Sequence, residues 1–177
     1  MRRVNYLAVL LGILILACSS TNIYSEEAIE KADRQDELLS VIFVGDTSFG
    51  ENYQNEIDSR GGMNVLRTKG YQYSIKNFAQ ILAQADLVVA NLETSLPDLS
   101  LLSPLDGKKP VILWGDPSKT PNTQRKNNIS VVSFANNHWP DYGIVGLRQT
   151  INALENHGIQ WIGAGLDESA AAQPLRF

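Results

Sequence analysis

At 177 residues, 44% hydrophobic and 19% charged, the chain has room for one domain with a real core, plus extras at its ends. That balance excludes a disordered or collagenous protein. A net charge of -4 and a pI near 5.1, with Lys and Arg scattered apart from short pairs such as Lys108 and Lys109, give no basic footprint, so nucleic acid is not an expected partner.

The N-terminus carries the clearest local signal. Arg2 and Arg3 lead into the apolar run YLAVLLGILILA, Tyr6 to Ala17, which ends at the only cysteine, Cys18. A membrane-crossing helix needs about 20 apolar residues, so this shorter run reads as an export signal that is cleaved rather than retained. The tetrapeptide ILAC resembles the lipobox of bacterial lipoproteins, in which the cysteine becomes the lipidated first residue of the mature chain; Leu16 is larger than the residue common there. The alternatives are an ordinary cleaved signal that happens to contain a cysteine, or a retained anchor. The expected location is the cell envelope, as a membrane-anchored lipoprotein, with a secreted or periplasmic protein as the alternative. With Cys18 consumed or removed, the mature domain can hold neither a disulfide nor a thiolate metal site.

Residues 1–18 are thus read as a signal peptide with a lipobox, 19–38 as a polar tether (STNIYSEEAIEKADRQDELL) and 39–177 as the folded part. There short apolar, β-branched runs alternate with amphipathic segments, the pattern of an α/β domain. SVIFV (Ser40 to Val44) is a first strand. SIKNFAQILAQA places Ile75, Phe78, Ile81, Leu82 and Ala85 at helical spacing, with Ser74 as its cap. DLVVA (Asp86 to Ala90) is the second strand, VILW (Val111 to Trp114) a short one, and DPSKTPNTQRKNN after it has room for a helical turn. ISVVSF (Ile129 to Phe134) is the third buried strand. GLRQTINALENHG sets Leu147, Ile151 and Leu154 on one helix face and stops at Gly158, and a fourth main strand begins at Ile159.

Strands alternating with helices usually build parallel sheets, whose functional residues collect beyond the carboxyl ends of the strands. Three strands run directly into a polar cluster: GDTSFGE with Asp46, NLETSL with Asn91 and Glu93, and ANNHWPDYG with Asn136, Asn137, His138 and Asp141. On one sheet edge these would bring carboxylates, an amide oxygen and an imidazole together, a set suited to divalent cations and to stabilising charge around a phosphate-like group. Each element also has a plainer reading. Asp46 suits a turn, Asn136 and Asn137 tolerate positive φ, Asp141 could cap the next helix, and His138 could be a satisfied, partly buried histidine. Glu93 is the hardest to explain that way, since a carboxylate after LVVANL is costly to desolvate without a partner. The recurrence at three strand ends favours a site.

The stretches GDTSFGE, ADLVVANLETSL and VVSFANNHWPDYGIVGLRQTINALENHGIQWIGAG, in that order, strongly resemble the bacterial capsule-synthesis protein family called CapA. That family is associated with poly-γ-glutamate capsule production and is similar in fold to calcineurin-like metallophosphoesterases. The resemblance covers Ser40 to the end and implies the N-terminal half of such a sandwich, two β-sheets flanked by helices. It also implies a role for each matching residue. Asp46 is similar to the first metal-binding aspartate, Glu93 to the carboxylate bridging two metals, Asn137 to the asparagine ligand, and His138 to the catalytic histidine that stabilises or protonates the reacting oxygen. Asn91 and Asp141 fall in the same motifs as substrate-facing or supporting residues. The implied cofactors are divalent ions: Mn, Mg, Fe or Zn.

The family's second half supplies further histidines in an HxH-type motif, whereas this chain has only His138 and His157. His157, at the end of an amphipathic helix, suits a helix-terminal role. The expectation is a truncated or fragmentary chain that would act as a metallophosphoesterase-like hydrolase only when completed, with one sheet face left uncovered as an exposed apolar patch. The expected function is that of an exported, membrane-tethered capsule-synthesis protein working with the membrane complex of that pathway. The alternative is a non-catalytic surface lipoprotein that binds an anionic polymer or a partner of the synthesis machinery. A phosphoesterase unrelated to capsule is a third, since fold alone does not choose a substrate.

Overall fold

The computed structural model describes residues 38–176; the signal run, Cys18 and the tether as far as residue 37 lie outside the described residues. Four strands, β1 (Val41–Asp46), β2 (Leu87–Asn91), β3 (Ile129–Ser133) and β4 (Gln160–Ile162), form one parallel sheet in the order β1-β2-β3-β4. Between and after them come α1 (Glu51–Ser59), α2 (Val65–Lys69), α3 (Gln72–Ile75), α4 (Ala79–Leu82), α5 (Lys119–Lys126), a 3-10 turn (Trp139–Tyr142), α6 (Gly143–Asn156) and α7 (Glu168–Ala171). No helix among the described residues is long and apolar enough to cross a membrane.

A sheet whose neighbours follow chain order has every crossover stepping the same way, and right-handed crossovers then send the connecting helices to one face. The packing agrees. Val88, Ala90 and Val132 point from the sheet into a core shared with Leu82 at the end of α4 and with Leu147, Ala153 and Leu154 of α6; Phe134 and Ile159 close it, and Ile42, Val44 and Trp161 lean on it. Fully burying a leucine such as Leu147 or Leu154 contributes about 1.5–3 kcal/mol. The other face is partly bare: the register sets Val41 beside Leu87 and Phe43 beside Val89, and Phe43 is 77% exposed.

Several local expectations change. The single helix over 74–85 is two short ones, α3 and α4, because Phe78 N bonds Ile75 O at 2.9 Å and breaks the run with a tighter turn. Ser74 lies inside α3 and caps nothing. VILW is not a strand: only Trp114 bridges to Ser95, because the Leu113 amide is taken by the Asp141 carboxylate at 2.7 Å. Asp141 therefore does not cap α6, which starts at Gly143 behind Tyr142 with no side-chain cap. Two helices that the periodicity does not announce rest on local devices. Gly50, at φ 71, turns the chain into α1, and Asn64 caps α2 by accepting from Arg67 N at 2.9 Å. His157 does sit at the helix end, as the C-cap of α6 with its ring nitrogen 2.7 Å from Ala153 O.

Candidate functional site

The parallel register carries the three polar clusters to one edge. Asp46 ends β1 directly opposite Asn91 at the end of β2, and Asn91 pairs with Ser133 at the end of β3. A chain of side-chain bonds then laces the three loops together. Asn91 Nδ2 donates to Asp46 Oδ1 at 2.7 Å, Asn136 Nδ2 donates to Asn91 Oδ1 at 3.0 Å and to Leu92 O at 2.8 Å, and His138 N donates to Asn136 Oδ1 at 2.9 Å. Both ends of each amide are thus spoken for, which fixes their orientation without reference to a ligand. Asn91 and Asn136 are braces, and Asn91 holds Asp46.

Asp46 is exposed and Glu93 half-buried, and their carboxyls lie within hydrogen-bonding reach of each other. The bond from Glu93, followed by that from Asn91, holds Asp46 below the usual carboxylate range. The same bond to Asp46, followed by burial and the Asp46 charge, raises Glu93, against a smaller opposing effect of His138. The two acids thus shift each other in opposite directions, Asp46 down and Glu93 up, as carboxyls at close range do.

His138 is 8% exposed and its placement is determined from below. Its Nδ1 lies 2.7 Å from Asp141 Oδ2, and a carboxylate only accepts, so Nδ1 carries the hydrogen. The nitrogen that Asp141 does not engage is Nε2. Asp141 is fully buried and serves three donors: His138 Nδ1, the Leu113 amide and the ammonium of Lys109. Lys109 also donates to Asn137 O at 2.8 Å and stands 3.3 Å from His138 Nδ1. Ser95 Oγ donates to His138 O at 3.0 Å. The WPDY turn, with proline in its first positions, sets Asp141 three residues beyond the histidine it orients.

The structure thus gathers Asp46, Asn91 and Glu93 into one group and His138 with Asp141 into a neighbouring one, while the Asn137 side chain is exposed beside them. Lys109 and Ser95 were not read as site residues. Their only sequence signals were a basic pair ahead of an apolar run and a serine in NLETSL, neither of which shows a partner far along the chain. Two carboxyls at close range, with an exposed amide on the neighbouring loop, suit a hard cation, which would relieve the repulsion between them. Among the described residues no three His, Cys, Asp or Glu side chains form a group that could hold a metal by themselves. The donors fit part of a cation site rather than a closed one.

An open parallel sheet with polar loops at its carboxyl edge and helices on one face is consistent with part of a metallophosphoesterase-like fold. Residues 40–177 match the family described as "Bacterial capsule synthesis protein PGA_cap", and the chain belongs to that family. It is 24% identical over 164 residues to "Capsule biosynthesis protein CapA" of Bacillus anthracis, covering 90% of this chain and 37% of that protein. It is 25% identical over 142 residues to "PGA biosynthesis protein CapA" of Bacillus subtilis, covering 80% and 34%. A 90-residue stretch, 49% of this chain, is 37% identical to 22% of "Probable polyglutamine synthesis accessory protein Rv0574c" of Mycobacterium tuberculosis. The chain spans little more than a third of the length of the first two relatives.

Proposed function

We propose that this chain is part of an exported, envelope-tethered capsule or polyglutamate synthesis protein with a metal-dependent phosphoesterase-like site. The observation that carries the reading is the close pair of carboxyls, Asp46 and Glu93, at the sheet edge beside an anchored His138. Asp46, Glu93 and Asn137 would hold a divalent ion, Mn, Mg, Fe or Zn, which when bound supplies positive charge against an anionic oxygen. Asn91 keeps Asp46 in place, and Asp141 fixes the tautomer of His138 so that Nε2 is free to accept or, when protonated, to donate a proton at a reacting oxygen. Lys109 pairs with the buried Asp141 side chain and ties down the Asn137 backbone. Export and lipid anchoring rest on Arg2, Arg3, the apolar run and Cys18.

The test is metal analysis and calorimetry with Mn and Zn on the full-length protein. Binding should fall sharply in Asp46→Asn and Glu93→Gln, whereas His138→Gln should keep the metal and lose any phosphoesterase turnover. Full-length protein that binds neither ion, or both acid variants binding it undiminished, would sink the metal reading. A non-catalytic envelope protein that binds an anionic polymer or a partner in the synthesis machinery is the second reading, favoured by the lack of a closed metal group among the described residues. Turnover that survives purification and disappears in His138→Gln would rule it out.

A further inference from the structure

A cleft of about 370 Å³ lies between one face of α6, the segment after Ser95 and the start of α5. Cavities that take small molecules run from about 300 to 1,000 Å³, so it has room for one ring-sized molecule. Gln149, Asn152 and Asn156 line it at helical spacing, so one face of α6 gives it three side-chain amides. Asn152 and Asn156 are exposed, and neither side chain bonds to another described residue. Asparagine suits a helix less well than the Lys or Glu that an idle surface would carry, because its amide competes for the backbone.

The free ends of the other groups follow from the bonds they already make. Gln149 Oε1 accepts from Asp98 N at 3.0 Å, which leaves the Nε2 hydrogens for a ligand. His157 Nδ1 lies 2.7 Å from Ala153 O, and a carbonyl only accepts, so Nδ1 carries the hydrogen and Nε2 of the neutral ring is a bare acceptor. Asp98, exposed, takes the Ser100 hydroxyl at 2.6 Å and amide at 2.8 Å on Oδ1, and Oδ2 is left open. The bond from the Ser100 hydroxyl, followed by that from its amide, holds the carboxyl below its usual range, so Asp98 is a charged acceptor. The exposed hydroxyl of Ser118, ahead of α5, makes no capping bond. Donors and acceptors thus stand side by side. A hydroxyl does both, so this mixture suits a ligand that carries several of them. No Lys or Arg lines the cleft to receive an anion, and the Asp98 charge opposes one. Leu96 and Ala153, both buried, offer apolar surface to ring C–H groups.

We propose that the cleft binds one neutral sugar ring, with its hydroxyls on Asn152, Asn156, Gln149 and Asp98. The site goes beyond the metal reading and shares no residue with it. The test is saturation-transfer NMR and calorimetric titration of the full-length protein with D-glucose and N-acetyl-D-glucosamine, and with D-glucuronate, which adds a carboxylate to the glucose frame. Saturable binding of at least one neutral sugar is expected, with D-glucuronate weaker than it. The double substitution Asn152→Ala and Asn156→Ala should weaken that binding by about tenfold or more, since two hydrogen-bonding groups are lost. Alanine is the better helix former, so the doubly substituted protein should melt no lower than the parent, and its loss of binding is then not a loss of fold. Absence of saturable binding by both neutral sugars overturns the proposal. So does D-glucuronate binding as well as the better of them, or undiminished binding in the doubly substituted protein. Asp46→Asn should lose metal and leave sugar binding intact, so the two readings fail separately.

Discussion

Asp141→Asn tests whether the site is organised from beneath. The side chain is fully buried and accepts from Lys109, His138 Nδ1 and Leu113 N, so the substitution keeps the volume and removes the charge. Removing one partner of a buried ion pair costs about 3–5 kcal/mol. Two features lower that figure here: Lys109 keeps 22% exposure and a second bond to Asn137 O at 2.8 Å, and the asparagine oxygen can still serve one donor. A loss of about 2–3 kcal/mol remains, which for a domain of this size lowers Tm by about 6–12 °C. Calorimetric melting of both proteins at neutral pH measures it. Repeating the substitution in a Lys109→Met background should cost at least about 1 kcal/mol less, because no ammonium is then left without its counter-charge. A Tm within about 2 °C of the parent, or equal costs in both backgrounds, would show that Asp141 does not carry the network.

Removing Glu93 should release Asp46: in Glu93→Gln the main cause of its lowered pKa is gone, so carbon NMR titration should find the Asp46 carboxyl closer to the ordinary value of about 3.9. Asp86 gives the pH dependence at the other end of the sheet. Bonds from the Ser40 amide at 2.8 Å and hydroxyl at 2.7 Å hold its pKa low, so its contribution to stability is present above about pH 4 and is lost as pH falls through the folded value. Acid melts of Asp86→Asn should therefore show a shallower loss of stability below about pH 4 than the parent. Leu154→Ala, in the fully buried seam between α6 and the sheet, should cost about 2–5 kcal/mol in urea unfolding. Gly115→Ala should also destabilise, because its Cβ would press on Leu96 and Glu51, and thermal melting would show it.

The sheet was legible because its strands are written in period and composition: VIFV, LVVA and ISVVS are β-branched runs with helices between them, and their parallel pairing follows from that alternation. The helical segment at 74–85 misled because spacing records only which positions could face a core. Phe78 and Ile81 fit the stripe, yet they are 60% and 57% exposed, and the backbone turns between them and Ile75. VILW misled in the opposite direction: its apolar composition is that of a strand, but the amide such a strand would need is bonded to a residue 28 positions away. No window of sequence contains both partners of that bond.

The same distinction runs through the site. Asp46, Asn91, Glu93, Asn137, His138 and Asp141 were singled out because each lies at the end of a strand or in the loop that follows it, a position that sequence reports directly. What they do depends on pairings across long separations that it does not report. Asp141 could have capped the helix that starts two residues later; instead it turns inward because Lys109, 32 residues earlier, supplies the charge that makes its burial tolerable. His138 then inherits its tautomer from Asp141. Asp141 thus depends on Lys109 and His138 on Asp141, and only His138 sits among the residues that face the carboxylate pair. A substitution at Lys109 should accordingly disturb the chemistry of His138 without removing any group that a ligand would touch.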